Sequence, residues 1–202
     1  MSNKKGEKTY SSRVVFELPP SSGQLPMVTE VAEHKAGLVA VLGGRVELKD
    51  APVRLPLARY REPSSATFRE AGRREVKEET GNKGSSDPND GIDVLVGEQI
   101  WEYHHDTNPN HVTKVFAGVA IGGLMRPVAH RLGVMESSVY SLEEIDDLHE
   151  HGMLRGWQDW QSVHEYWDRR DDLLVPAVST IAELTAYTEL TGPARLGELA
   201  LV

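Results

Sequence analysis

The chain has 202 residues, 39% of them hydrophobic, and a formal charge of −9 at pH 7. That is enough apolar material for one compact core, and the acidic balance excludes a nucleic-acid polymer as partner, because duplex binding depends on Lys and Arg neutralising phosphates. Cysteine is absent, which removes disulfides, thiolate metal sites and cysteine nucleophiles.

In chain order, residues up to about 12 read as a polar tail with no apolar run behind it, so no signal peptide is expected. Arg13–Leu18 reads as a short strand, followed by a loop rich in Pro, Ser and Gly. Ala36–Leu42 is an apolar run, and Gly43-Gly44 with Arg45–Leu48 suggests a hairpin. Arg54–Leu57 is a further extended piece. No segment approaches the roughly 20 apolar residues that span a bilayer, so a cytoplasmic protein without membrane contact is expected.

The next helix carries the chemistry. Pro63-Ser64-Ser65 is turn-like; Ser65 or Thr67 can cap the helix, and Thr67 with Glu70 fits a capping box. Phe68, Ala71, Gly72 and Val76 form a stripe at 3.6-residue spacing. Gly72 costs up to about 1 kcal/mol relative to Ala inside a helix, so a close backbone approach is expected beneath it. Gly81 is suited to a left-handed helix end.

Residues 74–81 read Arg-Glu-Val-Lys-Glu-Glu-Thr-Gly. Side chains three and four apart on a helix are neighbours, so Glu75 points the same way as Glu78 and Glu79. Two readings follow: an ordinary solvated charged face, or a carboxylate cradle for a hard divalent cation that keeps phosphate oxygens and waters as its other ligands.

A polar loop follows at Asn82–Gly91, then strands at Ile92–Val96, Glu98–Tyr103 and His111–Ile121, the last two joined by the turn-forming Asp106–Asn110. Ser137–Tyr140 is short and extended. Leu142–Glu150 is a helix capped by Ser141, with Glu144 three residues on. Trp157–Arg170 is an aromatic-rich helix, and Pro176–Leu190 a last one.

Other candidate sites are weaker. His104, His105 and His111 lack zinc spacing and read as lining a strand-to-strand loop, or as substrate contacts if they face the pocket. His149 and His151 read as surface. Trp157, Trp160 and Trp167, at helical spacing, are core or dimer contacts ahead of nucleobase platforms. Gly43-Gly44 and Gly122-Gly123 lack the lysine and spacing of a phosphate loop, and Ser137-Ser138 lacks a nucleophile elbow.

The octet resembles the second half of the Nudix box, Arg-Glu-U-x-Glu-Glu-x-Gly with U apolar, at Arg74, Glu75, Val76, Glu78, Glu79 and Gly81. The first half differs: Tyr60 stands where the family has an early Gly, Ala66 where it has an early Glu, and Asn82 fills the last apolar position. The resemblance implies an α/β fold, the Nudix α/β/α sandwich with a mixed sheet, over residues 36–170. Residues 1–35 would be a tail with a lead-in strand, and 171–202 a helical extension on the same domain.

It also implies a hydrolase that cleaves a phosphoanhydride bond of a nucleoside diphosphate linked to another group. In that account magnesium or manganese is held by Glu75, Glu78 and Glu79, with Glu78, Glu79 and Arg74 as the catalytic set. Arg74 would mainly hold a glutamate. Glu136, beside competitors Glu143 and Glu144, is a candidate acid from outside the box. The partner implied is a small phosphorylated nucleotide-type substrate, and homodimers are frequent among such proteins. The alternative is a Nudix-fold nucleotide-binding or regulatory domain without turnover.

Overall fold

The computed structural model describes residues 8–31, 35–51, 62–81, 87, 89–130 and 133–179. Tyr60, Asn82, the segment Arg54–Leu57 and everything from residue 180 lie outside them. The described residues form eight strands and three α-helices, in the order β1 (Thr9–Val15), β2 (Leu25–Thr29), β3 (Val39–Val41), β4 (Gly43–Arg45), α1 (Ser65–Thr80), β5 (Asp93–His105), β6 (Asn108–Gly122), β7 (Val128–His130), β8 (Gly133–Tyr140), α2 (Leu142–Glu150) and α3 (Trp157–Ser179). A 3-10 turn, Leu48–Asp50, follows β4.

One sheet is mixed, in the order β4-β1-β6-β5, with β1 parallel to β6 and the other pairs antiparallel. A second, antiparallel sheet runs β3-β2-β8-β7. Successive strand residues face opposite ways, and the core divides on that alternation. Val14 and Phe16 join Phe68 and Val76 of α1 in one cluster. Val15 joins Ile145 of α2 and Val163 and Tyr166 of α3 in another. Helix α1 on one side and α2 with α3 on the other make the expected α/β/α sandwich.

Several boundaries differ from the sequence reading. The first strand begins at Thr9, where a tail was expected, because β6 supplies a parallel partner along its whole length. Strand β2 falls in the stretch read as loop: Pro26 argues against a strand, yet Leu25 to Val28 are buried, the whole strand pairs with β8, and Met27 to Thr29 pair with β3 as well. The Gly43-Gly44 hairpin does not form, since β3 pairs with β2 and β4 with β1, placing the two halves in different sheets. Two predicted strands merge into β5, which bends through several register shifts. Helix α3 runs on through Pro176 to Ser179 instead of breaking there.

Helix α1 keeps its predicted span and changes both caps. Ser64, not Ser65 or Thr67, is the N-cap, its Oγ accepting from the Thr67 amide at 3.2 Å. Gly81 is extended (φ −149°), not left-handed. The last carbonyls of α1 find donors elsewhere: the Arg126 amide donates to Thr80 O at 2.7 Å, and Ser137 Oγ to Glu79 O at 2.9 Å. Gly72 meets the expected close approach, since an added Cβ would lie 2.7 Å from Val14 Cγ2 and 2.8 Å from Ser12 Oγ. The Ser141–Glu144 capping box of α2 forms as read.

Candidate active site

Arg74 is the hub of the acidic face of α1. Its Nε and Nη2 donate to the two oxygens of Asp50 at 2.7 and 3.2 Å, the paired geometry in which a guanidinium binds a carboxylate most firmly. Nη2 also donates to the Arg45 carbonyl at 2.9 Å. Nη1 donates to Glu75 Oε1 at 2.8 Å and to Glu78 Oε2 at 3.4 Å. Burial works against the charge of Arg74, but Asp50 and Glu75 outweigh it and raise its pKa above the ordinary guanidinium value. Arg74 thus steers two of the three box glutamates and anchors the helix to the 3-10 turn through Asp50, which is only 2% exposed.

The glutamates sit in a costly environment. Burial raises the Glu75 pKa, Arg74 pulls it back, and the like charges of Glu78 and Glu47 push it up again. Glu79 is pushed up to about 8 by burial, with Arg13 and the Gly43 amide opposing the rise and Glu75 adding to it. Without a cation Glu79 therefore holds its proton at neutral pH. The Gly43 amide donates to Glu79 Oε2 at 2.7 Å. A Cβ at Gly44 would fall 2.5 Å from Glu75 Oε2 and 2.7 Å from Oε1. The glycine pair, read in the sequence as turn signals, lays bare backbone against two carboxylates. Gly43 has φ +138°, and its absent Cβ would lie 2.8 Å from Arg13 Cα.

The donors suit a hard divalent cation in kind, being carboxylate oxygens whose mutual repulsion a cation would relieve. Arg74 engages one oxygen of Glu75 and the Gly43 amide one of Glu79, and each carboxylate has a second oxygen with which to coordinate. Among the described residues no three Asp, Glu or His side chains stand as a ready-made cage, so closing the three glutamates on an ion would require side-chain rotation.

The remaining candidates scatter. Glu136 is exposed on β8, and alternation puts it on the face opposite Ser137, which is the residue that reaches α1. Glu144 is taken up by the α2 capping box. His104 is exposed, with Nδ1 3.0 Å from the Pro109 carbonyl oxygen across the turn. His105 and His111 lie on strands and meet edge to face, ring centroids 4.7 Å apart. His149 stacks on Trp160 at 5.0 Å, and His151 is exposed. Trp160 and Trp167 pack on the core as expected, whereas Trp157 is 48% exposed and meets Trp101 edge-on. Arg13 and Asp50 escaped the sequence reading; both lie far from the octet in sequence, and single charged residues carry no local signal.

No family model and no curated protein matches the chain in sequence. Solved structures do. A Nudix hydrolase from Nitrosomonas europaea is 17% identical, with 80% of this chain and 89% of that one covered at a TM-score of 0.55. A second Nudix hydrolase structure from that organism is 12% identical over 85% of this chain and 76% of its own, at 0.53. The ORF135 protein of E. coli is 19% identical over 84% of this chain and 96% of its own, at 0.50. Identities this low speak for architecture alone, and by its architecture this chain has the Nudix hydrolase fold.

Proposed function

We propose that the protein is a hydrolase of the Nudix type, cleaving a phosphoanhydride bond of a nucleoside diphosphate linked to another group, with magnesium or manganese as cofactor. The observation that carries this reading is the Arg74 hub, which aims Glu75 and Glu78 from one helix while the Gly43 amide holds Glu79 beside them. Glu75, Glu78 and Glu79 would hold the cation. When bound, it supplies neutralisation of phosphate charge and a more acidic attacking water.

This chain's own residues supply the rest. Arg74 positions Glu75 and Glu78 and stays off the substrate, its guanidinium being committed to Asp50. Glu79, whose pKa without a cation burial raises to about 8, would give up its proton on taking up the cation, since carboxylate ligands bind metals deprotonated. Most of the acceleration would come from positioning and electrostatics, as in phosphoryl transfer generally.

The test is hydrolysis of a panel of nucleotide sugars, ADP-ribose, dinucleoside polyphosphates and nucleoside triphosphates with magnesium. Cleavage of at least one class is expected, abolished by chelator and reduced at least about 100-fold in Glu79→Gln.

Two observations favour a second reading, a Nudix-fold nucleotide-binding domain without turnover. Ala66 occupies the early Glu position in a first helical turn that has no acidic residue, and no three-carboxylate cage is preformed among the described residues. Nucleotide binding without cleavage anywhere in the panel would select it.

A further inference from the structure

Arg74 reaches two of the box glutamates, Glu75 and Glu78, with its own guanidinium. Glu79 is held differently, by the Gly43 amide at 2.7 Å. A backbone donor has no rotamer of its own, so its aim depends on what fixes the chain around it. Residues 41–43 are where the chain leaves one sheet for the other, β3 pairing with β2 and β4 with β1. Neighbouring strands cannot supply every hydrogen bond at such a step, and a buried carbonyl left unpaired is unfavourable.

Arg13 of β1 makes up the shortfall. It is 9% exposed, and its Nη1 donates to the carbonyls on either side of Leu42, at 2.9 Å to Val41 and 2.7 Å to Gly43. Along the chain these two carbonyls bracket the amide given to Glu79. The Val14 amide donates to the Leu42 carbonyl at 3.0 Å, and the Val41 amide to Asp159 Oδ1 at 3.1 Å. The crossover is thus braced from β1 and from α3, and the Gly43 amide meets α1 from between them.

A buried guanidinium is a poor choice for stability alone. Its desolvation is offset well only by an anion, whereas Nη1 of Arg13 binds neutral carbonyls and Nε has no partner among the described residues. What the group offers instead is geometry, a rigid planar donor spanning the two carbonyls that set the direction of one amide.

We infer that Arg13 is a positioning residue for the acidic site, clamping the crossover from β3 to β4 so that the Gly43 amide stays aimed at the Glu79 side chain. Arg74 orients two of the glutamates by direct contact, and Arg13 orients the third through backbone. Only the use made of Glu79 rests on the hydrolase reading; the clamp itself needs no cation.

Two measurements separate the clamp from that use. The first is the nuclear magnetic resonance shift of the Gly43 amide proton in cation-free protein. Glu79→Ala removes the acceptor and should move it upfield. Arg13→Gln should move it the same way, and should add little once Glu79→Ala is in place, because both act on one bond. The second is manganese affinity, followed by electron paramagnetic resonance. The charge of Arg13 is felt at Glu79, so by charge alone its removal would tighten manganese. Loss of the clamp does the opposite: Arg13→Gln should weaken manganese at least about tenfold, the usual loss when the partner behind a metal ligand is removed. Arg13→Lys, which keeps a donor but loses the planar group, should give a smaller change in both readouts.

Tighter or unaltered manganese binding in Arg13→Gln overturns the inference, as does a Gly43 shift that adds to that of Glu79→Ala. A lowered Tm with both readouts unmoved would make Arg13 merely structural. Where Arg13→Gln does not fold, Arg13→Lys carries both tests, and values identical to those of the unaltered protein overturn the inference there too. The expected Gly43 shifts in a protein that binds no manganese would uphold the clamp and sink the hydrolase reading. Magnesium-dependent cleavage with the Gly43 amide unmoved by Arg13→Gln would do the reverse.

Discussion

Gly44 and Glu79 carry the sharpest consequences at the scale of single residues. A methyl group at position 44 would land against the Glu75 carboxylate, so Gly44→Ala must swing Glu75 away from Arg74. Turnover should fall at least about tenfold while stability drops by only about 1–3 kcal/mol, the usual cost of overpacking. Steady-state kinetics beside a thermal melt check this, and unchanged kinetics would show that Glu75 is not needed where it stands.

For Glu79 the sign follows from its pKa, about 8 when folded against 4.5 as the ordinary value. The proton favours the folded state, so this group's contribution is complete below pH 4.5 and is lost as pH rises through 8. In chelator, Glu79→Gln should match the unaltered protein near pH 5 and exceed it near pH 9 by at least about 1 kcal/mol. Denaturant melts at the two pH values measure the difference; an equal gap at both would mean that Glu79 is not desolvated.

Helix α1 shows at the scale of elements what a sequence can and cannot disclose. Its span, its buried stripe and the octet were legible because each depends on neighbours within two turns. The same holds for α2, whose cap and box lie within four residues. The C-terminal end of α1 was not legible, since the donors that finish it come from Arg126 and Ser137, far along the chain. Strand β2 was hidden by Pro26 and by burial on both faces, which erases the alternation that marks a half-buried strand. The division of β3 and β4 between two sheets is a long-range pairing that no local pattern encodes. The Arg74–Asp50 pair, which shapes the site, has the same origin.

Gly72 sets how closely α1 lies on β1. Replacing an exposed helical glycine by alanine stabilises by about 1 kcal/mol. Here the new Cβ would strike Val14 and Ser12 and lift α1 from β1, so Gly72→Ala should destabilise by about 1–3 kcal/mol. A gain in Tm would show that the helix has slack above the sheet.

For the whole molecule, the sandwich brings an acidic helix, a glycine pair and a buried arginine from separate stretches to one place. Arg155 ties the start of α3 to this region, pairing with Asp159 at 2.6 Å and Glu30 at 3.0 Å, while Asp159 Oδ1 accepts from the Val41 amide at 3.1 Å. Two residues on from Val41, Gly43 holds Glu79, so the two helical layers meet through one short run of backbone. No helix among the described residues is long and apolar enough to cross a membrane. With a net charge of −9, the protein as a whole repels a polyanionic substrate, and a divalent cation at the acidic helix is what would admit a small one.

Manganese binding followed by electron paramagnetic resonance, on the unaltered protein and on Glu78→Gln and Glu79→Gln, addresses the proposed cation site most directly. A saturable site is expected, and either substitution should weaken it at least about tenfold, as loss of one charged ligand should. Manganese held equally well by all three proteins, or by none of them, would contradict it.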